Sequence, residues 1–142
     1  MYKIICFSHG TLSMSLIETA EMILGTREYL ESYSITPGCD VEKVIDQIAL
    51  SIKSSEENSI KTLILTDLFF GTPFNQLIQL SERHNFYHVT GVNLPLLLEA
   101  IIIRDQEVSD PGKAITQLIE LAKEGIQFLN NLLDEPEEGE VK

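Results

Sequence analysis

His9 and Asp67 each stand just beyond a short apolar run, and Gly71-Thr72-Pro73 follows the aspartate closely. Imidazole is the only side chain whose ordinary pKa lets it serve as nucleophile, base or acid near neutral pH. At a strand end it is held open to ligands by a rigid scaffold. Alone, a loop histidine is more often merely solvated, and an aspartate after a strand is more often a cap. Together they admit a specific chemistry. The carboxylate accepts the proton of one ring nitrogen, fixes the tautomer and leaves the other nitrogen free to attack. It also stabilises the positive charge that a reacting ring acquires. Gly71-Thr72-Pro73 opens a helical pattern, where free amides and the positive dipole end attract a phosphoryl group. The set reads as a histidine, an orienting acid and an anion site.

Such a set needs a frame. Four runs of strand length, Lys3 to Phe7, Tyr29 to Ile35, Lys61 to Thr66 and Phe86 to Thr90, alternate with helical periodicity. That pattern predicts an α/β fold: a three-layer sandwich around a mostly parallel sheet in the order 2-1-3-4. The runs Ile4-Ile5-Cys6-Phe7 and Leu63-Ile64-Leu65 are continuously apolar, as strands covered on both faces must be. Tyr29 to Ser34 alternates, which places the second strand at an edge. In open α/β sheets ligands bind beyond the carboxyl ends of the strands, where strand order reverses. His9 and Asp67 then face each other across that point, with Gly91-Val92-Asn93-Leu94-Pro95 after the fourth strand nearby.

The helices follow from spacing. Val41, Val44, Ile45, Ile48 and Ile52 form one stripe that Asp40 can cap, and Leu16, Ala20, Ile23 and Leu24 form another that ends at Gly25. Thr72 can cap a helix containing Phe74, Leu77 and Ile78. Leu96 to Ile103 is apolar nearly all round, so it belongs in the core or at a subunit interface. Ile115, Leu118, Ile119 and Ala122 form a last stripe. Ile126 to Asn130 reads equally as helix or as a fifth strand.

A chain of 142 residues is the size of one domain, assigned here to residues 1–133. Residues 134–142, with five acids and no apolar period, read as a disordered tail. The net charge of −12, with no basic cluster, disfavours nucleic acid and anionic lipid as partners. Neither a signal peptide nor an apolar stretch of bilayer length is present, and Cys6 and Cys39 have no ligand-like spacing. The chain therefore reads as cytoplasmic, with reduced thiols and no metal or cofactor. His84 and His88 read as structural.

Several separated motifs, in order, also match a family. They are Ser8-His9-Gly10, Thr19 to Gly25, Pro37-Gly38, Leu65 to Asn75 and Gly91 to Pro95. The chain resembles the mannose-family IIA component of the bacterial phosphoenolpyruvate:sugar phosphotransferase system over about its first 130 residues. The resemblance implies that His9 takes a phosphoryl group from the histidine-containing phosphocarrier protein and passes it to a IIB component, which serves the membrane permease. It implies Asp67 as the residue orienting His9, and Gly10, Gly71 and Thr72 as phosphoryl-binding residues. It also implies a homodimer with an exchanged C-terminal antiparallel strand, which favours strand for Ile126 to Asn130. A chain ending at Lys142 leaves no room for a fused IIB domain and reads as a free-standing component. A dihydroxyacetone kinase phosphotransfer subunit and a IIA-like regulatory module are the alternatives. One departure stands out: the family's loop usually carries two adjacent glycines where this chain has Phe70-Gly71. Either the loop is rearranged, or Phe70 keeps an ordinary conformation and lines a partner surface.

Overall fold

The computed structural model describes residues 1–106 and 109–134. In chain order the elements are β1 (Tyr2–His9), α1 (Leu12–Leu24), β2 (Leu30–Ile35), α2 (Val41–Glu57), β3 (Lys61–Thr66), α3 (Thr72–Leu80), β4 (Tyr87–Val89), α4 (Leu94–Asp105), α5 (Pro111–Lys123) and α6 (Leu129–Asp134). The four strands form one parallel sheet in the order β2-β1-β3-β4, as the alternating pattern predicts. β1 and β3 are central, and their apolar runs are buried on both faces, whereas every residue of the edge strand β2 is only half-buried.

Two cores result. On one face Ile4, Cys6, Leu63 and Leu65 pack with Ala20 of α1, Leu97 and Ile101 of α4 and Leu118 of α5. On the other, Ile5, Phe7 and Ile64 pack with Ile45, Ile48 and Ile52 of α2 and Leu77 and Leu80 of α3. Alternation along each strand sends successive side chains to opposite faces, so continuous apolar runs feed both layers. Burial pushes the Cys6 thiol up to about 12, which leaves it an inert member of the first core.

Caps fix where the helices begin. Asp40, Asn93 and Asp110 accept the amides of Lys43, Leu96 and Lys113 at 3.2, 2.9 and 3.3 Å. Thr72 does not cap α3. It is the first helical residue, and Gly71 holds the cap position, its carbonyl accepting from Asn75 N–H at 2.9 Å.

The C-terminal segment departs from the expected strand. Residues 126–128 have no regular structure, and Leu129–Asp134 forms a short helix in which Leu132 N–H reaches Phe128 O at 3.2 Å. A strand without a neighbour leaves its ladder groups unmade, so within one chain local helical bonds satisfy this backbone instead. The acidic tail beyond Asp134 lies outside the described residues.

Candidate functional site

β1 and β3 are paired with Phe7 opposite Thr66, so the chain leaves both strands at the same end of the sheet. That register delivers His9 and Asp67 to each other. Asp67 Oδ2 accepts two hydrogen bonds from His9, from its backbone N–H at 2.9 Å and from ring Nδ1 at 2.7 Å. Asp67 Oδ1 accepts the Leu68 amide at 3.0 Å. The acid is thereby tied to its own loop and to the histidine at once.

The two side chains differ in exposure as their roles require. Asp67 is 10% exposed and His9 is 46% exposed. Burial works to raise the Asp67 carboxyl pKa, but hydrogen bonds from the His9 backbone and ring, together with the ring's charge, outweigh it. They hold the group below the usual carboxylate range. An ionised carboxylate at this distance assigns the ring proton to Nδ1 and leaves the lone pair on Nε2.

Nε2 faces the start of α3. Gly71 adopts φ 92° and ψ 179°, a region essentially reserved for glycine. A Cβ there would fall 3.0 Å from His9 Cε1 and 3.3 Å from Nε2. Glycine is thus required twice, by the turn and by the approach of the backbone to the ring. The amide of Thr72, the first residue of α3, has no carbonyl of its own helix to bond, so the turn that Nε2 approaches carries a donor. Gly10, at φ 59°, turns the chain from β1 into α1, and its N–H donates to Ile35 O at 2.9 Å. Its amide is engaged, so its contribution here is the turn. Phe70 is not among the positive-φ residues and is exposed, which settles its backbone as ordinary.

Two supports were not legible as part of the site. Buried Ser8 accepts the Ser13 amide at 2.9 Å and donates to His9 O at 3.1 Å, bracing the turn that carries the ring. Thr66 Oγ1 lies 2.8 Å from His88 Nε2, and Phe74 makes tilted ring contacts with Phe69 and His88 at centroid distances of 5.2 and 5.6 Å. These contacts fasten the segment on either side of Asp67. The signal available for His88 was its place in a strand neighbouring β3, which indicates proximity but not a partner.

The family model described as EIIA-man, PTS system fructose IIA component, matches residues 3–117. The chain belongs to this family. The EIIA-man relatives include the PTS system mannose-specific EIIAB component of Escherichia coli strain K12, 28% identical over 127 residues. That match covers 89% of this chain and 39% of the relative, so the chain spans about two fifths of that protein's length. The PTS system sorbose-specific EIIA component of Lacticaseibacillus casei is 33% identical over 101 residues, 70% of this chain and 72% of that one. A phosphotransferase system EIIA crystal structure from Streptococcus agalactiae has a TM-score of 0.82 and 27% identity, over 92% of this chain and 99% of its own. By family the chain is an EIIA component of the mannose/fructose type. Among the described residues no helix is long and apolar enough to cross a membrane.

Proposed function

We propose that His9 carries a phosphoryl group on Nε2, received from the phosphohistidine of a phosphocarrier protein and passed on to a IIB component. The observation that carries this reading is the double hydrogen bond from His9 to Asp67. It ties up Nδ1 and turns the lone pair of Nε2 toward the glycine at the start of α3. In the transfer Nε2 attacks phosphorus, and the donor ring nitrogen departs with the electron pair of the broken P–N bond. The positive charge gained by the His9 ring is met by the Asp67 carboxylate. The amides of Gly71 and Thr72, with the Thr72 hydroxyl, hold the phosphoryl oxygens. Phosphoryl transfer asks mainly for such positioning and charge stabilisation.

The chain also forms a homodimer in this reading, with the segment from Ile126 exchanged onto the open edge of β4. Exposed Ile126, Phe128 and Leu133 support this arrangement, since side chains of that kind seldom remain in water unpartnered. The cytoplasm is the compartment that supplies the partners, and the sugar itself is met by other components.

The deciding experiment incubates the chain with phosphoenolpyruvate, the first general enzyme of the system and the phosphocarrier. One acid-labile phosphoryl group per chain is expected, and none on His9→Ala. Label retained by His9→Ala would overturn the assignment.

A further inference from the structure

Three main-chain groups around the His9 ring are each held by a different partner. The His9 N–H donates to Asp67 Oδ2 at 2.9 Å, the His9 carbonyl accepts the Ser8 hydroxyl at 3.1 Å, and the Gly10 N–H donates to Ile35 O at 2.9 Å. Asp67 follows β3 and Ile35 ends β2, so two of the partners come from neighbouring strands. Ser8 alone belongs to the strand that carries the ring. Its hydroxyl is itself aimed, because Oγ accepts the Ser13 amide at 2.9 Å. Ser13 is anchored in turn, its Oγ donating to Tyr33 O of β2 at 2.9 Å.

Both serines are 0% exposed. A hydroxyl in such a place costs free energy unless its bonds are made, and position 8 continues a strand that is apolar from Ile4 to Phe7. What the hydroxyl holds therefore explains its presence. A fully buried Ser8 does not meet a phosphoryl donor, and its partner is the His9 carbonyl. The bond from Oγ of residue 8 to O of residue 9 spans the His9 backbone and fixes its torsions. The ring depends on that. One oxygen, Asp67 Oδ2, takes both the His9 N–H and Nδ1, a chelate that closes for only a narrow combination of backbone and side-chain angles. Among the described residues the half-exposed ring makes no hydrogen bond other than this one.

We propose that Ser8 is a positioning residue for phosphoryl transfer: its hydroxyl fixes the His9 backbone so that Nδ1 stays on Asp67 and Nε2 stays aimed at the turn of Gly71. This rests on the carrier reading of His9. Ser8 takes no part in bond making. It acts through the tautomer and direction of the ring that does.

The test uses the full chain with phosphoramidate, a small donor whose reaction reports on the ring alone. Nε2 attacks phosphorus, the P–N bond breaks, and its nitrogen leaves as ammonia with the electron pair. Labelling per folded chain is expected to be about 10–100-fold slower in Ser8→Ala than in wild type, the usual cost of losing what orients a reacting group. Nitrogen NMR of the ring separates positioning from stability: wild type is expected to keep its proton on Nδ1, and Ser8→Ala to shift toward the Nε2–H tautomer. Ser8→Thr keeps the hydroxyl on a residue suited to strands and is expected to recover most of the rate. Ser55→Ala deletes a buried hydroxyl that bonds within α2, and is expected to leave rate and ring shifts as in wild type even where the urea midpoint falls. A wild-type rate and wild-type ring shifts in folded Ser8→Ala overturn the proposal. So does Ser8→Thr as slow as Ser8→Ala. Should Ser8→Ala not fold, Ser13→Ala, which loosens the amide that aims Ser8, is expected to show the same two changes in smaller measure, and their absence overturns the proposal. Wild type labelled neither by phosphoramidate nor by the phosphocarrier overturns the carrier reading itself.

Discussion

His9 and Asp67 divide one task between an exposed ring and a nearly buried acid. Replacing Asp67 with Asn keeps the size of the side chain but removes the charge that opposes the cation formed on transfer. The rate of phosphorylation of Asp67→Asn is expected to fall by about 10–100-fold, as when the partner that orients a functional histidine is lost. A rate equal to wild type in a phosphate-affinity gel time course would show that orientation alone suffices. Because the folded protein holds the Asp67 carboxyl below its ordinary range, the pair stabilises the fold above the unfolded carboxylate value, about 3.9. That contribution is lost only as pH falls through the lower, folded value. Gly71 is the second demanding position. Gly71→Ala places a methyl against Nε2 and forces a side chain into a glycine-only conformation, at a cost of about 1–3 kcal/mol. Loss of phosphoryl acceptance together with a lower urea midpoint is expected. Unchanged labelling would mean that the loop moves away from the ring at little cost.

At the scale of elements, the site is a consequence of two parallel strands ending together. Much of this was legible in sequence, because continuous apolar runs at Ile4 to Phe7 and Leu63 to Leu65 identify central strands. The residues after central strands are where such folds put ligands. The cap at α3 was not legible: Thr72 and Gly71 both suit a helix start, and only the close approach of Gly71 to the ring decides between them. The support from His88 was hidden for a similar reason, since its partner Thr66 lies across the β3–β4 pairing rather than near it in sequence. That support has a pH signature. Burial pushes His88 below its ordinary value, so the folded protein keeps it neutral where the unfolded chain would charge it. Below about 6.5 the unfolded state therefore binds more protons, and stability falls as pH drops. His88→Gln is expected to show a smaller loss of urea midpoint between neutral and mildly acidic pH than wild type. Equal losses in the two proteins would assign the slope to other groups.

At the scale of the whole molecule, one feature is left open by a single chain. β4 is three residues long and ends the sheet, and the segment after α5 leaves Ile126, Phe128, Leu129, Leu132 and Leu133 between 51 and 75% exposed. Burying such side chains is worth about 1.5–3 kcal/mol each, on the order of 10 kcal/mol for the segment. Association of two chains costs roughly 4–15 kcal/mol in lost freedom. One arm laid on a neighbour is therefore marginal, whereas a reciprocal exchange counts the same gain twice against one association cost. The homodimer proposed above would take the form of a C2 pair, with each arm on the other's β4 edge. That proposal agrees with the helix Leu129–Asp134 burying no residue in one chain. By light scattering the full chain is expected to be a dimer and a chain truncated after Gly125 a monomer under the same conditions. It should still accept a phosphoryl group on His9, because the His9–Asp67 pair and Gly71 lie within β1, β3 and the start of α3. A truncated chain that remains dimeric would move the interface elsewhere, the exposed face of α4 at Ile102 being the next candidate.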